Sequence, residues 1–139
     1  MKIESIDHIV FTVSDISRTC RFYTQILGME EVTFLNSRKA LIFGNQKINL
    51  HLKGHEFDPK AKRPTPGSAD ICFIVETSLR EVINRMTKYG IPIEEGPVDR
   101  TGAQGALTSI YIRDPDGNLI ELSNIKEASK QRAEADGCC

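Results

Sequence analysis

Asp7-His8-Ile9-Val10-Phe11-Thr12-Val13 decides how the rest of this chain reads. Apolar and β-branched residues run from Ile6 to Val13, and the turn-like Ser14-Asp15 ends the run, so the stretch is a β-strand. Side chains alternate across a strand, which sets Ile9, Phe11 and Val13 on one face and His8, Val10 and Thr12 on the other. Sixty-two residues on, the pattern returns as Asp70-Ile71-Cys72-Phe73-Ile74-Val75. Asp70 takes the place of His8, Phe73 that of Phe11, and Val75 that of Val13. The chain is therefore a duplicated module with a polar residue at one strand position in each copy.

Outward from that strand, the first copy reads β-α-β-β-β. Ile16, Cys20, Tyr23 and Leu27 recur at helical spacing between Asp15 and Leu27, and Gly28 follows as a stop. Glu30 to Phe34, Lys39 to Phe43 and Lys47 to Leu52 read as strands, the last two joined by a Gly44-Asn45 turn. Gly54, Pro59, Pro64, Pro66 and Gly67 mark residues 53–68 as a linker. In the second copy a Ser78-x-x-Glu81 capping box opens a helix reaching Tyr89, and Gly90 stands sixty-two residues after Gly28. Ile91 to Glu94 reads as a short strand and Asp99 to Gly105 as a loop. Leu107 to Arg113 is a strand, Asp114-Pro-Asp-Gly-Asn118 a tight turn, and Leu119 to Ser123 the last strand. Aligning Leu50-His51 on Ile120-Glu121 widens the offset to seventy, which implies an eight-residue insertion. The expected organisation is a single α+β domain over 1–126. Its modules span about 4–52 and 69–124, and 127–139 is a polar tail expected to be disordered.

Composition narrows the function. With 139 residues the chain can bury one real core, and a net charge of −1 with interspersed signs argues against a nucleic-acid partner. No apolar run reaches membrane-spanning length and no signal-peptide core follows Met1, so a soluble cytoplasmic protein is expected. Cys20 and Cys72 lie inside apolar patterns and are expected as buried free thiols. Cys138-Cys139 resembles a prenylation signal that nothing upstream supports.

Four polar residues occupy matched positions of the repeat, namely His8, His51, Asp70 and Glu121. Each has a bland alternative: half-buried imidazoles satisfied by backbone, a turn cap at Asp70, an exposed strand residue at Glu121. Together, two imidazoles and two carboxylates on the faces turned away from the helices suit one divalent metal ion, Zn, Fe, Mn, Co or Ni, better than Ca. His55 lies in the linker and reads as surface.

Three stretches then carry a resemblance: His8-Ile-Val-Phe-Thr-Val-Ser-Asp15, Arg21-Phe-Tyr-Thr-Gln-Ile-Leu-Gly-Met29 and Arg113-Asp-Pro-Asp-Gly-Asn-Leu-Ile-Glu-Leu122. They resemble the vicinal oxygen chelate superfamily, which holds glyoxalase I, fosfomycin-resistance thiol transferases, bleomycin-binding proteins and extradiol dioxygenases. Lys47-Ile-Asn-Leu-His51 and Pro64 to Asp70 are similar to glyoxalase domain-containing proteins and their bacterial virulence-associated relatives. The resemblance implies paired βαβββ modules forming a cupped mixed sheet, a homodimer, a small-molecule substrate and metal ligands at His8, His51, Asp70 and Glu121. It departs from glyoxalase I at His51, where that enzyme has a carboxylate, at Asp70, where it has a histidine, and at Thr12, where it has an arginine used for glutathione. The implied activity is lyase or isomerase chemistry on a small oxygenated electrophile held by two adjacent oxygens, with Glu121 as the base. Lys47 and Asn49 are candidate substrate contacts, and Arg100 and Thr101 a candidate lid in the inserted loop. A non-haem Fe(II) dioxygenase and a non-catalytic binder are the alternatives.

Overall fold

A computed structural model describes residues 1–126, so the expected tail and Cys138-Cys139 lie outside the described residues. Strand β1 (His8–Val13) leads into helix α1 (Ile16–Gln25), then β2 (Glu30–Phe34), β3 (Arg38–Phe43) and β4 (Gln46–Leu52). The order repeats as β5 (Asp70–Ile74), α2 (Leu79–Lys88), β6 (Glu95–Gly102), β7 (Gly105–Arg113) and β8 (Leu119–Ile125). The strands form two mixed four-stranded sheets, ordered β1-β4-β3-β2 and β5-β8-β7-β6. In each, the first and last strands of the repeat pair in parallel and the others antiparallel. The α+β class and the duplicated βαβββ order are those expected from the sequence.

Local chemistry explains the helix positions. The Asp15 carboxylate accepts the Arg18 backbone N–H at 2.9 Å and caps α1, while Gly28 takes a left-handed conformation at φ 74° just past its end. Helix α1 buries Cys20, Phe22 and Tyr23, and the Tyr23 ring meets Phe11 edge-on at 6.5 Å. Phe11, Val13, Ile48 and Leu50 complete that core. Ser78 caps α2, and Asn124 Oδ1 accepts the Leu79 N–H at 2.8 Å. That helix buries Leu79, Val82 and Met86, and Phe73, Ile110, Ile112, Ile120 and Leu122 are buried in the same half of the repeat. Each such side chain contributes roughly 1.5–3 kcal/mol on leaving water. Burial on one face of each sheet leaves its other face free to carry polar groups.

Four expectations need correction. Residues 91–94 are not a strand. Strand β6 begins at Glu95 and runs through the region read as a loop, so Arg100 and Thr101 stand in a strand opposite Leu107 and Ala106. Gly96 and Pro97 look like breakers, but β6 is an edge strand whose register shifts between Glu95 and Val98, and there a missing N–H is tolerated. Second, the register pairs Ile9 with Ile48 and Ile71 with Ile120, so the fourth strands correspond at an offset of seventy-two rather than seventy. Third, Cys72 is exposed, and only Cys20 of the described pair is buried.

The fourth concerns the division of the chain. It forms two compact units: one comprises Met1–Ala69 with Asp114–Asn118, and the other takes Asp70–Arg113 and resumes at Leu119. The segment expected as a linker thus belongs to the first unit, and so does the turn between β7 and β8. Asp114 explains why that turn is built so tightly. Its buried carboxylate accepts from Tyr23 Oη at 2.7 Å, from Asn118 Nδ2 at 2.7 Å and from two backbone N–H groups. Asn118 Oδ1 in turn accepts the Ala69 N–H at 2.8 Å, and a side chain at Gly67 would collide with the Asp116 carbonyl.

Candidate functional site

In the second unit, alternation turns Asp70, Cys72, Ser109, Tyr111, Glu121 and Ser123 away from α2. The register sets Glu121 between Cys72 on β5 and Tyr111 on β7, with Ser109 opposite Ser123 beside it. Glu121 Oε2 accepts from Ser109 Oγ at 2.7 Å and from Ser123 Oγ at 3.3 Å, so one carboxylate oxygen is held in a fixed position. The Tyr111 hydroxyl accepts from Arg100 Nε at 2.9 Å; the Arg100 guanidinium also reaches Glu95 at 3.2 Å. Burial and the Glu121 carboxylate raise the Tyr111 phenol above its ordinary value, with Arg100 opposing. Although Cys72 is exposed to solvent at its surface, partial desolvation by its neighbours, then Glu121 and Asp70, raise the pKa of its thiol, with the Ser123 hydrogen bond opposing, so it is a poor nucleophile there. Glu121, Cys72 and Thr101 line one cavity of about 330 Å³. Asp70 is exposed at the start of β5, two residues before Cys72 on the same face.

The first unit presents the matching face through His8, Val10 and Thr12 on β1 and Lys47, Asn49 and His51 on β4. His8 Nδ1 is 2.8 Å from the Asp7 carboxylate, and the imidazole is 46% exposed. Lys47 lies over the Phe34 ring at 4.4 Å. Asn49 Oδ1 is buried without a hydrogen-bond partner. His51 is half-buried with Phe57 edge-on to its ring at 5.5 Å; burial, then Arg38 and Lys60, lower its pKa, with Glu56 opposing. These influences favour the uncharged imidazole.

The register changes which of these residues correspond. With His8 matched to Asp70, Lys47 matches Leu119, Asn49 matches Glu121 and His51 matches Ser123. His51 pairs with Thr12, four residues or roughly 13 Å along the strand from His8. The two imidazoles share a face of the first unit but stand at opposite ends of it, and the equivalence of His51 with Glu121 read from the sequence does not hold. Among the described residues, no three His, Cys, Asp or Glu side chains of the chain gather to hold a metal ion.

The donor chemistry nevertheless suits a divalent ion. Asp7 occupies His8 Nδ1 and leaves Nε2 outward, the arrangement in which a carboxylate orients a metal-binding imidazole. Glu121 offers a carboxylate already immobilised by two serines. Sequence reading missed Ser109, Ser123, Tyr111 and Cys72. Their signal was present, since Ser109 and Tyr111 alternate with Ile110 and Ile112 and so had to face away from the core.

Comparison with known proteins agrees with this architecture. The family model described as Glyoxalase/Bleomycin resistance protein/Dioxygenase superfamily matches residues 5–122. Virulence protein STM3117 of Salmonella typhimurium is 63% identical over 123 residues, covering 88% of this chain and 85% of that protein. Its crystal structure superposes with a TM-score of 0.89 at 62% identity, covering 91% of this chain and all of that one. Glyoxalase domain-containing protein RDO1 of Mycosarcoma maydis is 52% identical over 128 residues, 92% of this chain and 72% of that protein. A metallothiol transferase FosB of Shouchella clausii is 30% identical over 122 residues, 86% of this chain and 80% of its own length. The chain belongs to the glyoxalase/bleomycin resistance protein/dioxygenase superfamily.

Proposed function

We propose that this chain is a metal-dependent enzyme of the glyoxalase type, a lyase or isomerase acting on a small electrophile that carries two adjacent oxygens. The observation that carries the reading is the seating of Glu121, a carboxylate with one oxygen pinned by Ser109 and Ser123 at the wall of a ligand-sized cavity. Pinning one oxygen leaves the other able to take a proton from a bound substrate. His8 and Glu121, with Asp70, are the residues that would hold a divalent ion. When bound, such an ion supplies Lewis acidity to the substrate oxygens. Tyr111, tied to Arg100 and opposite Glu121 in the register, stands beside the carboxylate on the same face. Asn49 offers an unsatisfied acceptor to a substrate hydroxyl, and Lys47 a positive charge.

The FosB relative is named a metallothiol transferase, which supports metal-assisted chemistry on a small molecule without naming this substrate. A dioxygenase would want a second imidazole beside His8, and the register sets His51 four residues away. Proton transfer is therefore the preferred reading, carried out by a cytoplasmic homodimer.

Two measurements test it. Protein purified without chelator is assayed for bound first-row metals, and then for turnover of thiol adducts of 2-oxoaldehydes, epoxides and catechols. About one divalent ion per chain is expected, with turnover lowered at least roughly a hundredfold in Glu121→Gln. Full metal occupancy in a His8→Ala, Glu121→Ala double variant would sink the proposal. Oxygen uptake with catechols would replace it with the dioxygenase reading, and tight ligand binding without turnover would replace it with a binding protein.

A further inference from the structure

Two buried serines stand behind Glu121, and a thiol stands behind them. Ser109 and Ser123 are fully buried and face each other across β7 and β8, with their hydroxyl oxygens 2.6 Å apart. Cys72, opposite Glu121 in the register of β5 and β8, brings its Sγ to 3.2 Å from Ser123 Oγ. Cys72 and Glu121 both line the cavity of about 330 Å³. The two ends of this row of groups therefore meet the cavity, while the serines between them are shut away from water.

Counting protons fixes the direction of each bond. An ionised carboxylate only accepts, so the 2.7 Å contact between Ser109 Oγ and Glu121 Oε2 uses the single hydroxyl proton of Ser109. The 2.6 Å contact between the serines then needs the Ser123 proton, because Ser109 has none left. Ser123 Oγ also lies 3.3 Å from Glu121 Oε2, and at that length it is the weaker claim on the same proton. With the Ser123 proton engaged, the contact to Cys72 is made by the thiol proton, donated to Ser123 Oγ. Every proton in the row points toward Glu121. Reversing the row would set a lone pair of Ser109 against the carboxylate at 2.7 Å.

We infer that Cys72 is a positioning residue for Glu121, the donor that starts a one-way row of hydrogen bonds through Ser123 and Ser109 to Glu121 Oε2. The inference rests on the proposed proton-transfer function. A hydroxyl that accepts one hydrogen bond donates the next more strongly, so the thiol tightens the hold on Oε2. The other carboxylate oxygen is left to take the substrate proton. This role uses the thiol as a donor and never as a nucleophile.

The first test needs no substrate. Infrared spectra of the full chain lacking Cys138 and Cys139, minus those of the same chain with Cys72→Ala, isolate the Cys72 S–H stretch. The band is expected below that of ethanethiol in carbon tetrachloride. It is expected to rise toward that reference in Ser123→Ala and to stay low in Ser109→Ala, which removes a later link. A band already at the reference, or one that Ser123→Ala leaves in place, would overturn the inference. The second test is kinetic, with thiol adducts of 2-oxoaldehydes and the metal-loaded chain. Cys72→Ala is expected to lower kcat about two- to tenfold, the worth of one hydrogen bond, with KM unchanged. Cys72→Ser, which returns a donor to the same place, is expected to recover most of that loss. Equal kcat in the native chain and Cys72→Ala, or a loss that Cys72→Ser does not recover, would overturn the positioning role. A lowered band in a chain that turns over none of the adducts would retire the proposed reaction and the role with it. An unshifted band in an active chain would retire the row of hydrogen bonds alone.

Discussion

Thr12 illustrates how one residue can limit a substrate. It is buried on the polar face opposite His51 and carries a short neutral hydroxyl in place of a cation. Glyoxalase I places an arginine here for the glutathione carboxylate, and a hydrogen bond to a charged group is worth roughly 1.5–3 kcal/mol. The methylglyoxal–glutathione adduct is therefore expected to be a poor substrate with Ni, Co, Mn or Zn bound. A kcat/KM in the usual enzyme range, about 10⁴–10⁸ M⁻¹s⁻¹, would overturn this. Cys20 gives a pH prediction. Burial, and after it Glu31, pushes its thiol from an ordinary 9.0 up to about 12. In the window between those values the unfolded chain loses the proton and the folded chain keeps it. The stabilisation is thus complete below pH 9.0 and declines as pH rises toward 12. Urea midpoints should fall across the lower part of that window more steeply for the native chain than for Cys20→Ala. The folded thiol should also resist aromatic disulfide reagents at pH 8, in a background lacking Cys72, Cys138 and Cys139.

At the scale of elements, the repeat places equivalent strands while side-chain chemistry separates them. Asn49 and Glu121 occupy the same register position, so one face carries an amide where the other carries a carboxylate. That asymmetry concentrates the acid–base chemistry of the faces on the second sheet. The tight turn from Asp114 to Asn118 has a structural duty, because α1 is tied to it through Tyr23. Tyr23 is fully buried and its hydroxyl donates to Asp114 at 2.7 Å. Tyr23→Phe removes a donor from a buried carboxylate that keeps Asn118 and two backbone N–H groups. The expected loss is about 1–3 kcal/mol by urea denaturation. A loss below about 0.5 kcal/mol would show that the remaining donors are enough.

For the whole molecule, the open question is what completes a metal site. No three donors gather among the described residues of one chain, and Ile9 and Val10 on edge strand β1 are both 43% exposed, on opposite faces. An edge that exposes apolar groups on both faces is a pairing hazard unless another chain covers it. A homodimer is therefore expected at micromolar concentration by sedimentation, and monomer alone would refute it. If the second copy also completes the site, His8→Ala and Glu121→Ala homodimers, each depleted of metal, should regain about a quarter of the sites when unfolded and refolded together, because half of the dimers are mixed and each restores one of its two sites. Metal content that stays low after mixing would place all the ligands within one chain.

The sequence by itself determined the duplication, nearly every strand, both helices and the cap of the second. Those features rest on local physics: alternation in Phe11 and Phe73, helical spacing in Cys20 and Tyr23, the Ser78 cap, and the Gly28 and Gly90 stops. It also placed His8, Lys47, Asn49, His51, Asp70 and Glu121 on the faces away from the helices, since alternation is local too. Only the tertiary structure decided which of them correspond. Strands β1 and β4, like β5 and β8, pair in parallel across long intervening chain, and strand alternation repeats every two residues. An offset of seventy and one of seventy-two therefore preserve every face, and only the observed pairing separates them. The same limit explains residues 53–69 and β6. Their prolines and glycines signal a break in local hydrogen bonding, and only packing against a sheet face or along a sheet edge decided what those breaks became.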